Sequence, residues 1–251
     1  RALLEPLRDF LGRDGKRFRA RFDDQRLPAR RISIADVGVS FRAATATPAL
    51  RKLAFAGFAF SGLQVAFMYY FIAYAVTDVA LDRVTAGQVY GAASLVAIAG
   101  RIFWGWLAGG AVSPRVLLVF LSVTMFLSAA AIGMATPEWG VVGLGAAALA
   151  FGATGVSWNG VHLAEVARNA PSGEVAVVMG GVISCCFLGL IVLPALYGGV
   201  FVAFGLSGPG MAAIAAPALL CAVFFALPER AAAKPADPPP APEDTRTRPG
   251  V

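Results

Sequence analysis

From position 53 to 227 apolar residues dominate the chain in six runs, parted by short polar or Gly/Pro-containing breaks. The runs cover 53–76, 87–109, 116–135, 140–163, 175–204 and 210–227. Each approaches the roughly 20 residues a helix needs to cross about 30 Å of hydrocarbon, so six transmembrane helices are predicted. Pro48 is well placed to open the first helix. Pro194 is expected to interrupt the fifth, because a proline inside a helix removes one backbone bond. The spacings Gly105-x-x-x-Gly109 and Gly152-x-x-Gly155 predict close helix packing. Ahead of the apolar runs, 2–11 and 34–42 read as short helices flanking a charged loop. Behind them, 231–251 is rich in proline and charge, cannot bury a core, and reads as a disordered tail.

Composition supports the membrane reading. Hydrophobic residues make up 58% of the chain and charged residues only 14%, with a mean hydropathy of +0.70. Soluble domains carry about a quarter charged residues. The net charge of +6 does not point to nucleic acid, because thirteen of the 21 Lys and Arg lie in 1–52, interleaved with six acids. A mixed basic stretch before a hydrophobic span is typical of an inward-facing loop. With 1–52 inside, nineteen of the 21 basic residues fall on the inner side, only Arg83 falls outside, and Arg101 lies within a span. The expected organisation is a basic cytoplasmic loop over 1–52, an all-α six-helix transmembrane bundle over 53–227, and a cytoplasmic tail over 228–251. Cys185, Cys186 and Cys221 all sit in apolar runs with no metal-ligand spacing, so neither a metal nor a cofactor is expected. The chain opens without Met or a signal segment, so a preceding N-terminal part is expected.

Chemistry is concentrated in a few positions. Arg101 is the lone formal charge inside the six runs. It comes about eight residues, or about 12 Å of helix, before the inner end of its run, which places its Cα near the middle of a layer about 30 Å thick. A charge at that depth is there for function or for pairing. It reads either as an anion-binding guanidinium facing a cavity, or as an arginine that snorkels or bonds helix-end carbonyls. Gln64 and Tyr70 lie on the first run, among the aromatics of 67–71. Trp158, Asn159, His162 and Glu165 cluster near the inner end of the fourth, with Asn159, His162 and Glu165 on one helix face. His162, the only histidine, is either a one-histidine proton switch or a hydrogen-bonded structural residue. Glu165 and Arg168 are expected to pair at an inside loop. No Asp or Glu occurs inside any of the six runs. A proton-coupled carrier therefore would load its proton elsewhere.

Six spans after a basic loop, with two local motifs, resemble the C-terminal half of a major facilitator superfamily transporter. Gly-Arg-Ile-Phe-Trp-Gly-Trp-Leu-Ala over 100–108 resembles the Gly-Arg-x-x-x-Gly-x-Leu-Ala-Asp-Arg that ends that family's eighth helix. Gly-Val-Ser-Trp-Asn-Gly-Val-His-Leu-Ala-Glu over 155–165 resembles the tenth helix of bacterial members. The resemblance departs at Gly109 and Gly110, where the family has Asp-Arg, and at Glu174, where it usually has Arg. The inside charge network is therefore not carried over. Monocarboxylate- and oxalate-type facilitators use an arginine on the corresponding helix to hold an anion, although Ala97 stands where monocarboxylate carriers often have an acid.

The resemblance implies alternating access between two six-helix halves. The expected protein is the C-terminal half of a secondary transporter, a symporter or antiporter in the bacterial inner membrane. Its substrate is expected to be a small organic anion such as a carboxylate, contacted by Arg101, Gln64, Tyr70, Trp158 and Asn159. His162, Glu165 and Arg168 are the expected gate or proton switch. The expected partners are the lipid bilayer, an N-terminal six-helix half and a coupling proton loaded in that half. Two alternatives stay open: a carrier for a neutral or amphiphilic solute in which Arg101 is structural, and a non-transporting scaffold. An intramembrane serine protease is not expected, because Trp158 follows Ser157 where such a site has Gly, and His162 shares a helix with that serine.

Overall fold

The computed structural model describes residues 34–110, 112–204 and 207–227. The helix expected over 2–11 and the tail over 228–251 lie outside these. The chain divides into two units, Arg1–Asp36 and Val37–Val251; of the first, only residues 34–36, in the opening turn of a helix, are described. The helices are α1 (Ile34–Ala44), α2 (Pro48–Thr77), α3 (Arg83–Ala108), α4 (Pro114–Gly133), α5 (Gly140–Gly155), α6 (Asn159–Asn169), α7 (Val175–Phe204) and α8 (Ser207–Ala226), with a 3-10 turn at Pro137–Trp139. No strand occurs among the described residues. Six helical segments are long and apolar enough to cross a membrane, α5 and α6 together forming the fourth.

Caps, rather than the edges of the apolar runs, set where the helices begin. The Thr47 side chain accepts from the Leu50 N–H at 3.2 Å with Pro48 in the first turn, so α2 starts five residues before its apolar run. Ser113 with Pro114 opens α4 in the same way. Asp82 opens α3, its carboxylate accepting from the N–H groups of Val84 and Thr85 at 3.0 Å each. Hydrogen bonding from Thr85 holds the Asp82 carboxyl below the usual carboxylate range, so this cap is formed above that range and is lost as pH falls through the lowered value.

Two spans differ from expectation. α7 runs unbroken through Pro194. A spanning helix tolerates an internal proline, which frees the carbonyl four residues back, at Leu190; the Tyr70 hydroxyl donates to the Pro194 carbonyl itself at 3.2 Å and ties α7 to α2. The fourth span, expected as one helix, breaks at 156–158. The carbonyls of Ala153 and Val156 would ordinarily accept from the N–H groups four residues on. Instead Trp104 donates its indole N–H to Ala153 at 2.6 Å, and Arg101 donates to Val156. The Ser157 hydroxyl also bonds back to Ala153. Side chains thus stand in for the missing turn.

The closest packing is mostly between spans that do not follow one another in the chain. α2 lies against α7 and α8, α4 against α8 and α5, and α3 against α5. Apolar lipid gives helices no hydrophobic reason to associate, so close van der Waals contact and interhelical hydrogen bonds hold the bundle. Phe67 is buried at the centre, its ring 4.6 Å from that of Phe151 on α5 and 4.8 Å from that of Phe71. Gly152 behaves as its spacing suggested: a Cβ there would collide with the Ala93 backbone of α3. Gly105 does not, since a Cβ there would meet nothing within 4 Å. The reason is the face it occupies. α3 buries only the stripe of Ala86, Val89, Ala93 and Ala97, and Gly105 lies off it, near the exposed Ile102 and Trp106.

Candidate functional site

The break in the fourth span gathers most of the chemistry. From α3, the Arg101 Nε and Nη2 both donate to the Val156 carbonyl at 3.2 Å. From α2, the Gln64 Oε1 accepts the Trp158 indole N–H at 3.0 Å. Asn159 follows as the half-buried first residue of α6. Arg101 from α3 and Gln64 from α2 thus each reach the break, at Val156 and at Trp158, with Asn159 next in the chain. Tyr70 is not among them. Its ring packs on Tyr197 with centroids 4.6 Å apart, and its hydroxyl serves Pro194.

Arg101 is exposed and lines a recess of about 210 Å³ together with Phe67, Met68, Tyr90, Ser94, Ile98 and Val156. A guanidinium has five N–H donors in a fixed fork. Two are committed to one carbonyl, and among the described residues the others bond nothing. The recess is otherwise lined by two aromatic rings and apolar chains, with the Ser94 hydroxyl donating back to Tyr90. Chemically it offers one fixed positive charge beside an apolar wall.

His162 lies one turn beyond the break and is fully buried. Its Nε2 is 2.8 Å from the Leu53 carbonyl, which can only accept, so Nε2 carries the proton. Nδ1 is then a lone pair, and it has no partner. The Trp158 ring stands edge-on at 5.1 Å. The Nε2 bond ties α6 to the first turns of α2. Glu165 and Arg168 do pair, at 3.3 Å, but on α6 rather than in a loop, because the helix runs on to Asn169. The Asn169 amide extends the pair by donating to the Glu165 carboxylate at 3.1 Å. With α6 this long, an acid does fall within the fourth apolar segment, held in that pair.

Several contributors escaped the sequence reading. Trp104, Ser157 and Val156 define the break, and the available signal was two long donors three residues apart on α3 opposite Gly155 and Ser157. Arg115, read as an inside-loop cation, donates to the carbonyls of Phe225 and Leu227, capping the negative end of α8. The Tyr74 hydroxyl bonds the carbonyls of Gly133 at 3.2 Å and Ala135 at 3.0 Å where α4 ends.

The Gln64–Trp158 bond is expected to be modest in strength. In a double-mutant cycle of Gln64→Leu and Trp158→Phe, read by thermal unfolding in detergent, the coupling should be about 0.6 kcal/mol and at most about 1.7 kcal/mol. Additive losses would mean that the two side chains do not meet in solution. No protein-family model matches the chain, and no curated protein matches it significantly.

Proposed function

We propose that this chain is one six-helix half of a secondary transporter of the major facilitator type, moving a small organic anion by alternating access across a bacterial inner membrane. In this reading both termini face the cytoplasm. The observation that carries it is the exposed Arg101 guanidinium, which lines the recess of about 210 Å³ with N–H groups to spare. An anion with an apolar body matches that lining. Trp158, bonded by Gln64, and Asn159 follow Val156 at the helix break, where half-helix ends commonly face transported solutes. The other wall of the cavity would come from an N-terminal six-helix half. That half would also load the coupling proton, because the one acid of the fourth segment's inner end is paired with Arg168.

A second reading is favoured by the two Arg101–Val156 bonds: the arginine holds the break, and the solute is neutral or amphiphilic. Uptake separates the readings. Proteoliposomes holding this chain with an N-terminal half, energised by a proton gradient, should accumulate radiolabelled small monocarboxylates above empty liposomes. This chain alone should not. Accumulation of neutral solutes with no competition by carboxylates would replace the anion reading with the second one.

A further inference from the structure

The recess that holds Arg101 is long and narrow in plan. Tyr90, Ser94, Ala97, Ile98 and Arg101 line it from α3, at spacings that follow one face of a helix. Tyr90 and Arg101 stand three turns apart, about 16 Å along the axis. We propose that the recess binds an elongated carboxylate with a second, neutral polar group at its far end. The carboxylate would lie on Arg101, an apolar chain along α3, and the far group on the Tyr90 hydroxyl. The assignment builds on Arg101 as an anion site and adds the length and the second end of the solute.

Between the two ends the walls offer little but hydrocarbon. Met68 from α2 and Ile98 from α3 line the recess with side chains that are exposed, so both have apolar surface left to cover. The Ser94 hydroxyl donates to the Tyr90 carbonyl at 2.9 Å, which turns its proton away from a ligand. A short polar anion held by Arg101 would set its remaining polar groups against this wall, where each unpaired one costs free energy. A chain of methylenes gains by covering the same wall. At the far end the Tyr90 ring lies beside those of Phe67 and Phe71, with centroids 5.8 Å and 6.3 Å away, so its position is fixed by packing. Among the described residues its hydroxyl makes no hydrogen bond, and it is not sealed off by burial. A phenol hydroxyl can both donate and accept, and a purely hydrocarbon end would cover it without a partner. Arg101 is the one charged residue of the lining. A second carboxylate at the far end would therefore find no counter-charge, whereas a hydroxyl or carbonyl fits.

The test uses the full chain in nanodiscs and tritiated 8-hydroxyoctanoate, read against empty nanodiscs. Saturable binding is expected. The uncharged 1,8-octanediol should not compete, and 4-hydroxybutyrate should compete about tenfold more weakly or worse, since it covers less of the wall. Tyr90→Phe removes the hydroxyl and keeps the ring. On monodisperse protein it should weaken 8-hydroxyoctanoate about three- to tenfold, the loss of one hydrogen bond, and leave octanoate within about twofold of wild type. Equal binding of 4-hydroxybutyrate, or a Tyr90→Phe change that is absent or the same for both eight-carbon acids, overturns the elongated two-ended solute while Arg101 stays an anion site. Equal competition by octanediol, or no saturable binding of any of these carboxylates, overturns both.

Discussion

Replacing Arg101 by Ala is expected to weaken binding of a carboxylate substrate about ten- to hundredfold. A hydrogen bond to a charged group contributes about 1.5–3 kcal/mol, and about 1.4 kcal/mol is one decade of affinity. Arg101→Lys keeps the charge without the two-pronged geometry and should fall between wild type and Arg101→Ala. The structure adds a second effect that affinity alone would miss. Both Arg101 bonds end on the Val156 carbonyl at the break between α5 and α6. Their loss leaves that carbonyl without these donors, so Arg101→Ala should also melt at lower temperature. The two effects separate when affinity is measured on the monodisperse fraction, assembled with an N-terminal half. Lower stability with unchanged affinity for every carboxylate that wild type binds would leave Arg101 as the clasp of the break and nothing more.

Gly152→Ala and Gly105→Ala should shift stability in opposite directions, although both glycines sit in small-residue spacings. At Gly152 the added methyl would meet the Ala93 backbone of α3, which cannot rotate away. The two helices must separate, at a cost of about 1–3 kcal/mol. At Gly105 the methyl meets nothing within 4 Å, so what remains is the helix-propensity difference, which favours Ala over Gly by about 1 kcal/mol. Thermal unfolding of the purified chain in one detergent reads both. A destabilised Gly105→Ala would show that this face of α3 packs closely against something in the purified protein.

The hydrophobic pattern was enough to establish how many helices span and nearly where they lie. A span is set by summed apolar length, which one helix carries by itself. Pro48 announced one start for a similarly local reason, since a cap needs only its own first turn. Pairing within one helix was also legible, as Glu165 with Arg168 shows, because three residues along a helix is a contact distance.

Contacts across 50 or more residues were not legible. Whether Arg101 faces a cavity, a carbonyl or both depends on which helix lies opposite, and nothing in 100–108 names α5. The same holds for the tie from His162 to Leu53, for Arg115 closing α8, and for Tyr70 steadying α7 at Pro194. Each links groups 109 to 124 residues apart through a backbone carbonyl. A backbone carbonyl looks the same in every residue, so no side-chain pattern marks which one will accept. Two glycines with similar neighbours also had opposite surroundings, because a glycine's role is decided by the helix face it lies on and by what packs there. Local periodicity determined the spans; the interhelical partners, and with them the break that gathers the candidate site, were decided only by the tertiary structure.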